Sequence, residues 1–259
     1  MRRTVSLLVP LALVAGCQTT DGQINSIGSA FDPGPGCTSG CREDLEILES
    51  ADRSAGRMSD PRFWGIGGLL AGILTDDVLI SGAILGDARD LLEPARELTA
   101  EETKFLLTTV RDEATQRRST LEAAGDAAIR LIKVHDTYLA SLERRVNLEE
   151  LSPASYREQS ARQLSLVQQE LDLLGAIRDQ SLDDREISSR AEQKLRQSGT
   201  DGAELTALRR EIAGIDRAIE VLQVQQIARD TLIRNETLVA DDCATGKNSQ
   251  DPGPSCTEE

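Results

Sequence analysis

The clearest pattern in this chain begins at Thr99. Leu107, Val110, Ala114, Arg117, Leu121, Ala124, Ala128, Leu131, His135, Tyr138 and Leu142 follow one another at alternating three- and four-residue steps, and only Arg117 and His135 among them are polar or charged. Alternating steps of this kind place a seam on one face of a long helix. Thr99, with Glu102 three residues on, forms a capping box at the start of that helix. It should end near "NLEELSPAS", where Ser152 and Pro153 suit the N-cap and first position of the next helix. The second helix, from about Pro153 to Gln197, shows a less regular stripe of Tyr156, Leu164, Val167, Leu171, Leu174 and Ile177. After the turn "SGTDG", a third helix runs to about Leu238, with Leu205, Leu208, Ile212, Ile215, Ile219 and Leu222 at unbroken heptad steps. Upstream, Leu45, Leu48, Ala51, Ala55 and Met58 mark a shorter helix from Cys41, broken by "SDP" at Ser59 to Pro61. Rods of about 55–75 Å joined by short connections pack as antiparallel neighbours. The predicted fold is all-α, an elongated antiparallel helical bundle, or coiled-coil hairpin, of three to four helices.

The stretch "FWGIGGLLAGILTDDVLISGAILGD", Phe63 to Asp87, departs from this pattern. Two apolar blocks flank Asp76 and Asp77, each too short to span a bilayer. A helical hairpin with the aspartates at its tip keeps them wet and lets them cap the second arm. Gly68 and Gly72 are four residues apart, as are Gly82 and Gly86. The spacing resembles the glycine zippers of several outer-membrane lipoproteins and channel-forming proteins, in which small residues let backbones approach closely. That resemblance implies membrane insertion or self-association through Gly68, Gly72, Gly82 and Gly86, with Phe63 and Trp64 beside them as an interfacial anchor. The alternative is a hairpin that packs at the end of the bundle.

Composition sharpens the picture. Aromatic residues are 2% of the chain and charged residues 28%, a mixture suited to narrow helical seams rather than a thick core. The formal net charge of −15 repels phosphate backbones and argues against nucleic-acid partners. It gives no general attraction to anionic lipid, so membrane attachment has to come from apolar chemistry.

The N-terminus offers that chemistry. "MRRTVSLLVPLALVAGC" has a basic start, an apolar run and a small-residue end. Val14, Ala15, Gly16 and Cys17 resemble the lipobox of bacterial lipoproteins. The resemblance implies cleavage before Cys17 by signal peptidase II and fatty acylation of Cys17. Gln18 at the following position implies, by analogy with enterobacterial sorting, the periplasmic leaflet of the outer membrane rather than the inner membrane. Several acyl chains make a stable anchor at roughly 0.8 kcal/mol per buried methylene. The expected organisation is a leader at 1–16, a lipidated flexible tether at 17–36, a cysteine-bearing helix at 37–60, the glycine-rich hairpin at 61–94, the long bundle at 95–242 and a tail at 243–259.

Four further cysteines, Cys37, Cys41, Cys243 and Cys256, read as two disulfides in an oxidising compartment. "DPGPGCT" from Asp32 and "DPGPSCT" from Asp251 repeat a phrase near both ends of the chain. If a fourth helix brings the ends together, nested bridges Cys37–Cys256 and Cys41–Cys243 would staple them. Local bridges Cys37–Cys41 and Cys243–Cys256 are the rival pairing. A lone histidine, His135, and the absence of any Cys-x-x-Cys spacing argue against a metal site, and no cofactor-binding motif is visible. His135 lies on the seam without catalytic partners at fixed spacing, and the carboxylate doublets fall mostly at helix ends or on exposed faces. The sequence therefore predicts a non-enzymatic, lipid-anchored scaffold or adaptor for envelope proteins. A membrane-active or homo-oligomeric role for residues 63–86 is the alternative.

Overall fold

Thr99 opens the longest helix as the sequence predicts. Its hydroxyl accepts from the Glu102 backbone N–H at 3.2 Å, and Glu102 Oε2 accepts from the Thr99 N–H at 2.9 Å. The computed structural model describes residues 37, 39–56, 91–93, 95–200 and 202–245, with side chains described as far as Val239. They form four helices: α1 (Ser39–Ser54), α2 (Ala100–Asn147), α3 (Pro153–Gln197) and α4 (Ala203–Thr245). The described residues form an all-helical bundle. Ser152 caps α3 by accepting from the Ser155 N–H, with Pro153 at the first position. Gly199, at φ 78°, closes α3 in the left-handed conformation that glycine adopts at little cost.

Contacts along the rods fix their directions. Arg117 meets Asp184 while Tyr138 meets Gln159, so α2 and α3 are antiparallel. Tyr156 meets Glu236 while Arg209 meets Glu192, so α3 and α4 are antiparallel too. Short turns give this up-down-up order. At about 1.5 Å per residue the three rods are ~65–72 Å long. Helices α2, α3 and α4 pack mutually, and α1 packs against α2 and α3. Since α4 also sits on α2 and α3, α1 takes the opposite groove. It runs antiparallel to α2, for Asp44 binds Arg130 and the Ser54 carbonyl accepts from Arg117. At Gly125 α4 comes so close that a Cβ there would meet Val221 Cγ1 at 3.0 Å.

The seams match the predicted heptads on α2 and α4. Leu107, Val110, Ala114, Arg117, Leu121, Ala124, Ala128, Leu131, His135 and Leu142 are buried, and Leu139 takes the fully buried place expected of Tyr138, which is half-buried. Leu205, Leu208, Ile212, Ile215, Ile219 and Leu222 are all buried. The α3 stripe needs correction. Leu164 and Leu171 are only half-buried. The buried line is Tyr156, Ser160, Gln163, Val167, Glu170, Leu174, Ile177, Ser181, Asp184, Ser188, Ala191 and Leu195. Its steps alternate four and three without a break, and half of its members are polar or charged.

The nested staple also needs correction. Cys37 and Cys41 are disulfide-bonded to each other, with 5.3 Å between their Cα atoms. Four residues apart across the start of α1, they meet without any approach of the chain's ends. Helix α1 has 16 residues and covers only part of α2, unlike a full-length fourth rod.

The cap provides a stability test. Thr99→Ala should cost about 1 kcal/mol by urea denaturation at neutral pH. Hydrogen bonds from the Thr99 backbone and from Arg96 outweigh burial and hold the Glu102 carboxyl below its ordinary pKa. Its stabilisation is thus present above the unfolded pKa and lost as pH falls through the folded one. The gap between Glu102→Gln and wild type should narrow over that acidic window, because only the carboxylate is lost in that variant, whereas the Thr99→Ala cost should change little with pH.

Candidate functional site

The polar residues on the α3 seam meet charged partners from the neighbouring helices, and these layers are the chemically richest part of the described structure. Glu170 is the centre of the largest. It comes from α3, His135 from α2 and Arg229 from α4, and none is more than 3% exposed. Arg229 donates to Glu170 Oε2 from Nε at 3.0 Å and from Nη2 at 2.8 Å. The same Nη2 donates to the Ala128 carbonyl at 2.9 Å, tying in α2. On the other carboxylate oxygen, His135 Nε2 lies 2.7 Å from Glu170 Oε1. Gln163 Nε2 donates to His135 Nδ1, which leaves the ring proton on Nε2, pointing at Glu170. Both ring nitrogens and both carboxylate oxygens are thus taken by partners inside the bundle. The cluster holds three helices to one another; as arranged, it presents no atom to a solute.

A second layer pairs Arg117 of α2 with Asp184 of α3, Nη2 to Oδ2 at 2.8 Å, both almost fully buried. Arg117 also donates to the Ser54 carbonyl, fastening the end of α1. A third layer lies toward the far ends of α3 and α4. Tyr156 Oη donates to Glu236 Oε2 at 3.2 Å, beside an apolar cluster of Leu139, Leu142 and Leu151. Burial, and then the nearby Glu143 charge, push the Glu236 carboxyl above its ordinary pKa. Burial and the Glu236 and Glu143 charges likewise raise the Tyr156 phenol. At the opposite pole, Lys194 of α3 donates to the Glu93 carbonyl at 2.6 Å and to the Arg96 carbonyl, pinning the segment that leads into α2.

On the surface, a shallow cleft of about 400 Å³ is lined by Lys133, Val134, Thr137, Tyr138 and Ser141. All five come from successive turns of α2. Among the described residues no group of three or more His, Cys, Asp or Glu side chains could hold a metal ion, and no helix is long and apolar enough to cross a membrane.

Of the residues singled out in the sequence, His135 is buried on the α2 seam and Cys37 and Cys41 are joined. Cys243 belongs to α4, with its side chain beyond the described part. Cys17, Phe63, Trp64, Gly68, Gly72, Gly82, Gly86 and Cys256 lie outside the described residues. The sequence reading missed Gln163, Glu170, Asp184 and Arg229. The signal was present: each falls on a heptad position counted from an apolar neighbour, and only a search restricted to apolar residues passes them over.

No protein-family model matches the chain, and neither the curated proteins nor the solved structures contain a match to it.

Three variants test the layers. Arg229→Met leaves Glu170 charged and buried with its main partner gone, and should cost about 3–5 kcal/mol by chemical denaturation. Replacing His135, Glu170 and Arg229 together by Leu, Leu and Met should recover the loss or exceed wild-type stability. Glu236→Gln should act in the other direction. A carboxyl whose folded pKa is raised penalises the fold above that pKa, and the penalty disappears as pH falls below the unfolded value. The variant should therefore melt higher than wild type at neutral pH and at the same temperature in acid.

Proposed function

We propose that this protein is a lipid-anchored scaffold or adaptor of the bacterial envelope, in which Cys17 carries the fatty acyl chains and the helical rod presents acidic faces to partner proteins. The observation that carries this reading is the Cys37–Cys41 disulfide. It sits between the lipobox-like cysteine and the rod, and bonds of this kind persist in oxidising compartments such as the periplasm. Residues 18–36 would then be the tether, with a reach of roughly 25 Å as a random coil. The rod is suited to holding partners at set distances. Its three long helices are locked by buried ion pairs at two levels, Arg117–Asp184 and Arg229–Glu170. Such pairs oppose sliding, because a shifted charge would face an apolar neighbour.

The destination is the periplasmic leaflet of the outer membrane, and docking goes through the exposed charged faces rather than through a catalytic cleft. The test is fractionation of the native host membranes. Wild type should remain in washed membranes and yield an acylated N-terminal peptide by mass spectrometry, whereas Cys17→Ala should appear in the soluble periplasmic fraction. Equal retention of Cys17→Ala would overturn the anchor and direct attention to residues 63–86. Non-reducing peptide mapping of the same sample should recover Cys37 linked to Cys41.

A further inference from the structure

The outer face of α4 carries a feature that neither the bundle nor a lipid anchor uses. Six large apolar side chains are exposed among the described residues, and three of them share the outer face of α4: Val224 at 60%, Ile227 at 58% and Leu238 at 63%, while Val221, at 40%, leans on α2 at Gly125. The buried seam of α4 runs through Leu222, Arg229 and Glu236. Val224, Ile227 and Leu238 lie roughly opposite it. A fifth exposed residue, Leu182 of α3, borders the same region, since Arg178 binds Gln226 and Arg185 binds Asp216 on either side of it. Residues 221–228, "VLQVQQIA", form the longest stretch without a charge in the four helices.

Charge decides what can cover such a face. A chain of net charge −15 repels its own copies over most of its surface. The uncharged stretch is where two copies can approach at least cost. The flanking charges add a second constraint. Glu220 and Arg234, both exposed, lie seven residues to either side of Ile227, and Arg234 Nη2 also pairs within its own helix with Asp230 Oδ2 at 2.8 Å, an exposed i,i+4 bridge that a second carboxylate can share. Seven residues are two helical turns, so both fall on the same face as Ile227. Rotation of a second chain by a two-fold axis through Ile227 sets Glu220 of each copy opposite Arg234 of the other. Self-complementarity of this kind is the mark of an isologous interface. A partner of different sequence would have no need for charges placed symmetrically about one residue.

We infer that α4 is a homodimerisation face, with two copies of this chain packing α4 against α4 in antiparallel fashion about a two-fold axis at Ile227. The contact holds Val224, Ile227 and Thr231 at its centre and Glu220–Arg234 pairs at both ends. It goes beyond the lipid-anchored reading and does not depend on it, because the rods would pair the same way with or without acyl chains.

The experiment is carried out on the purified full-length chain in mild detergent. Sedimentation at ~10–50 µM should give the mass of two chains, the micromolar regime expected of a small helix–helix contact. Ile227→Lys should weaken the dimer at least about tenfold while leaving the helical circular dichroism unchanged, since the side chain is exposed. Glu220→Arg and Arg234→Glu should each weaken it by about three- to tenfold, and the double variant in one chain should restore it, because each reversed charge then meets its opposite. Ile227→Cys under mild oxidation should yield a 227–227 linked peptide, the product only a residue at the two-fold axis gives readily. A monomeric wild type at these concentrations would overturn the proposal. So would a dimer insensitive to Ile227→Lys, or one whose charge reversals fail to rescue each other.

Discussion

The bundle depends on a carboxylate that has no access to water. Glu170 lies in the middle of three long helices and is satisfied only because Arg229 supplies two donors from α4 and His135 one from α2. Taking these charges out of water is costly, and their mutual attraction recovers the cost only with this geometry. A sheath of leucines would be more forgiving, for one Leu–Leu layer resembles the next and helices can slide by a heptad with little penalty. A slide of one heptad would set Glu170 against an aliphatic layer of Leu222 and Ala128. Register is thereby written into the polar layers, and the apolar layers between them supply most of the cohesion.

The second ion pair extends the logic to α1. Arg117 reaches Asp184 in the core and the Ser54 carbonyl at the end of α1. Asp44, ten residues earlier, binds Arg130 on the same helix α2. Two polar clasps and the apolar stripe Leu45, Leu48 and Ala51 therefore set both the direction and the level of a helix too short to be stable alone. The disulfide at its start narrows the conformations open to the chain entering α1, and it does so locally. A terminal staple is unnecessary for holding the helix in place, because the groove between α2 and α3 already does so.

Much of this was legible in the residues. Thr99 with Glu102, Ser152 with Pro153, and the steps from Leu107 to Leu142 and from Leu205 to Leu222 gave helix boundaries and seams, because caps and heptads are local properties. The α3 seam was not legible by hydrophobicity. Counting leucines leads to Leu164 and Leu171, which the fold leaves half-buried, while Ser160, Gln163, Glu170, Ser181 and Asp184 are inside. A buried Asp or Glu is permitted only by a cation on another helix, and that partner is a property of the assembled fold. The cysteine pairing failed for a related reason. Matching phrases at the chain's ends suggested a long-range staple, but Cys37 and Cys41 stand four residues apart across the start of α1 and reach each other locally, which a repeated phrase does not reveal.

Polar layers inside and an apolar strip outside answer opposite demands on one sequence. Inside, the narrow seam of a nearly aromatic-free chain has little volume with which to discriminate one packing from another, so charge pairs provide the discrimination. Outside, a strongly acidic surface keeps copies apart, so only a stretch without charge can bring them together. Helix α4 meets both demands within about four turns. Leu222 and Arg229 face inward, while Val224 and Ile227 face outward between Glu220 and Arg234. Mixing the two sets would undo both arrangements, since an aliphatic residue in place of Arg229 strands Glu170, and a charge in place of Ile227 makes the outer face as repulsive as the rest of the rod. The alternation along this one segment therefore specifies an internal register and an external contact at once.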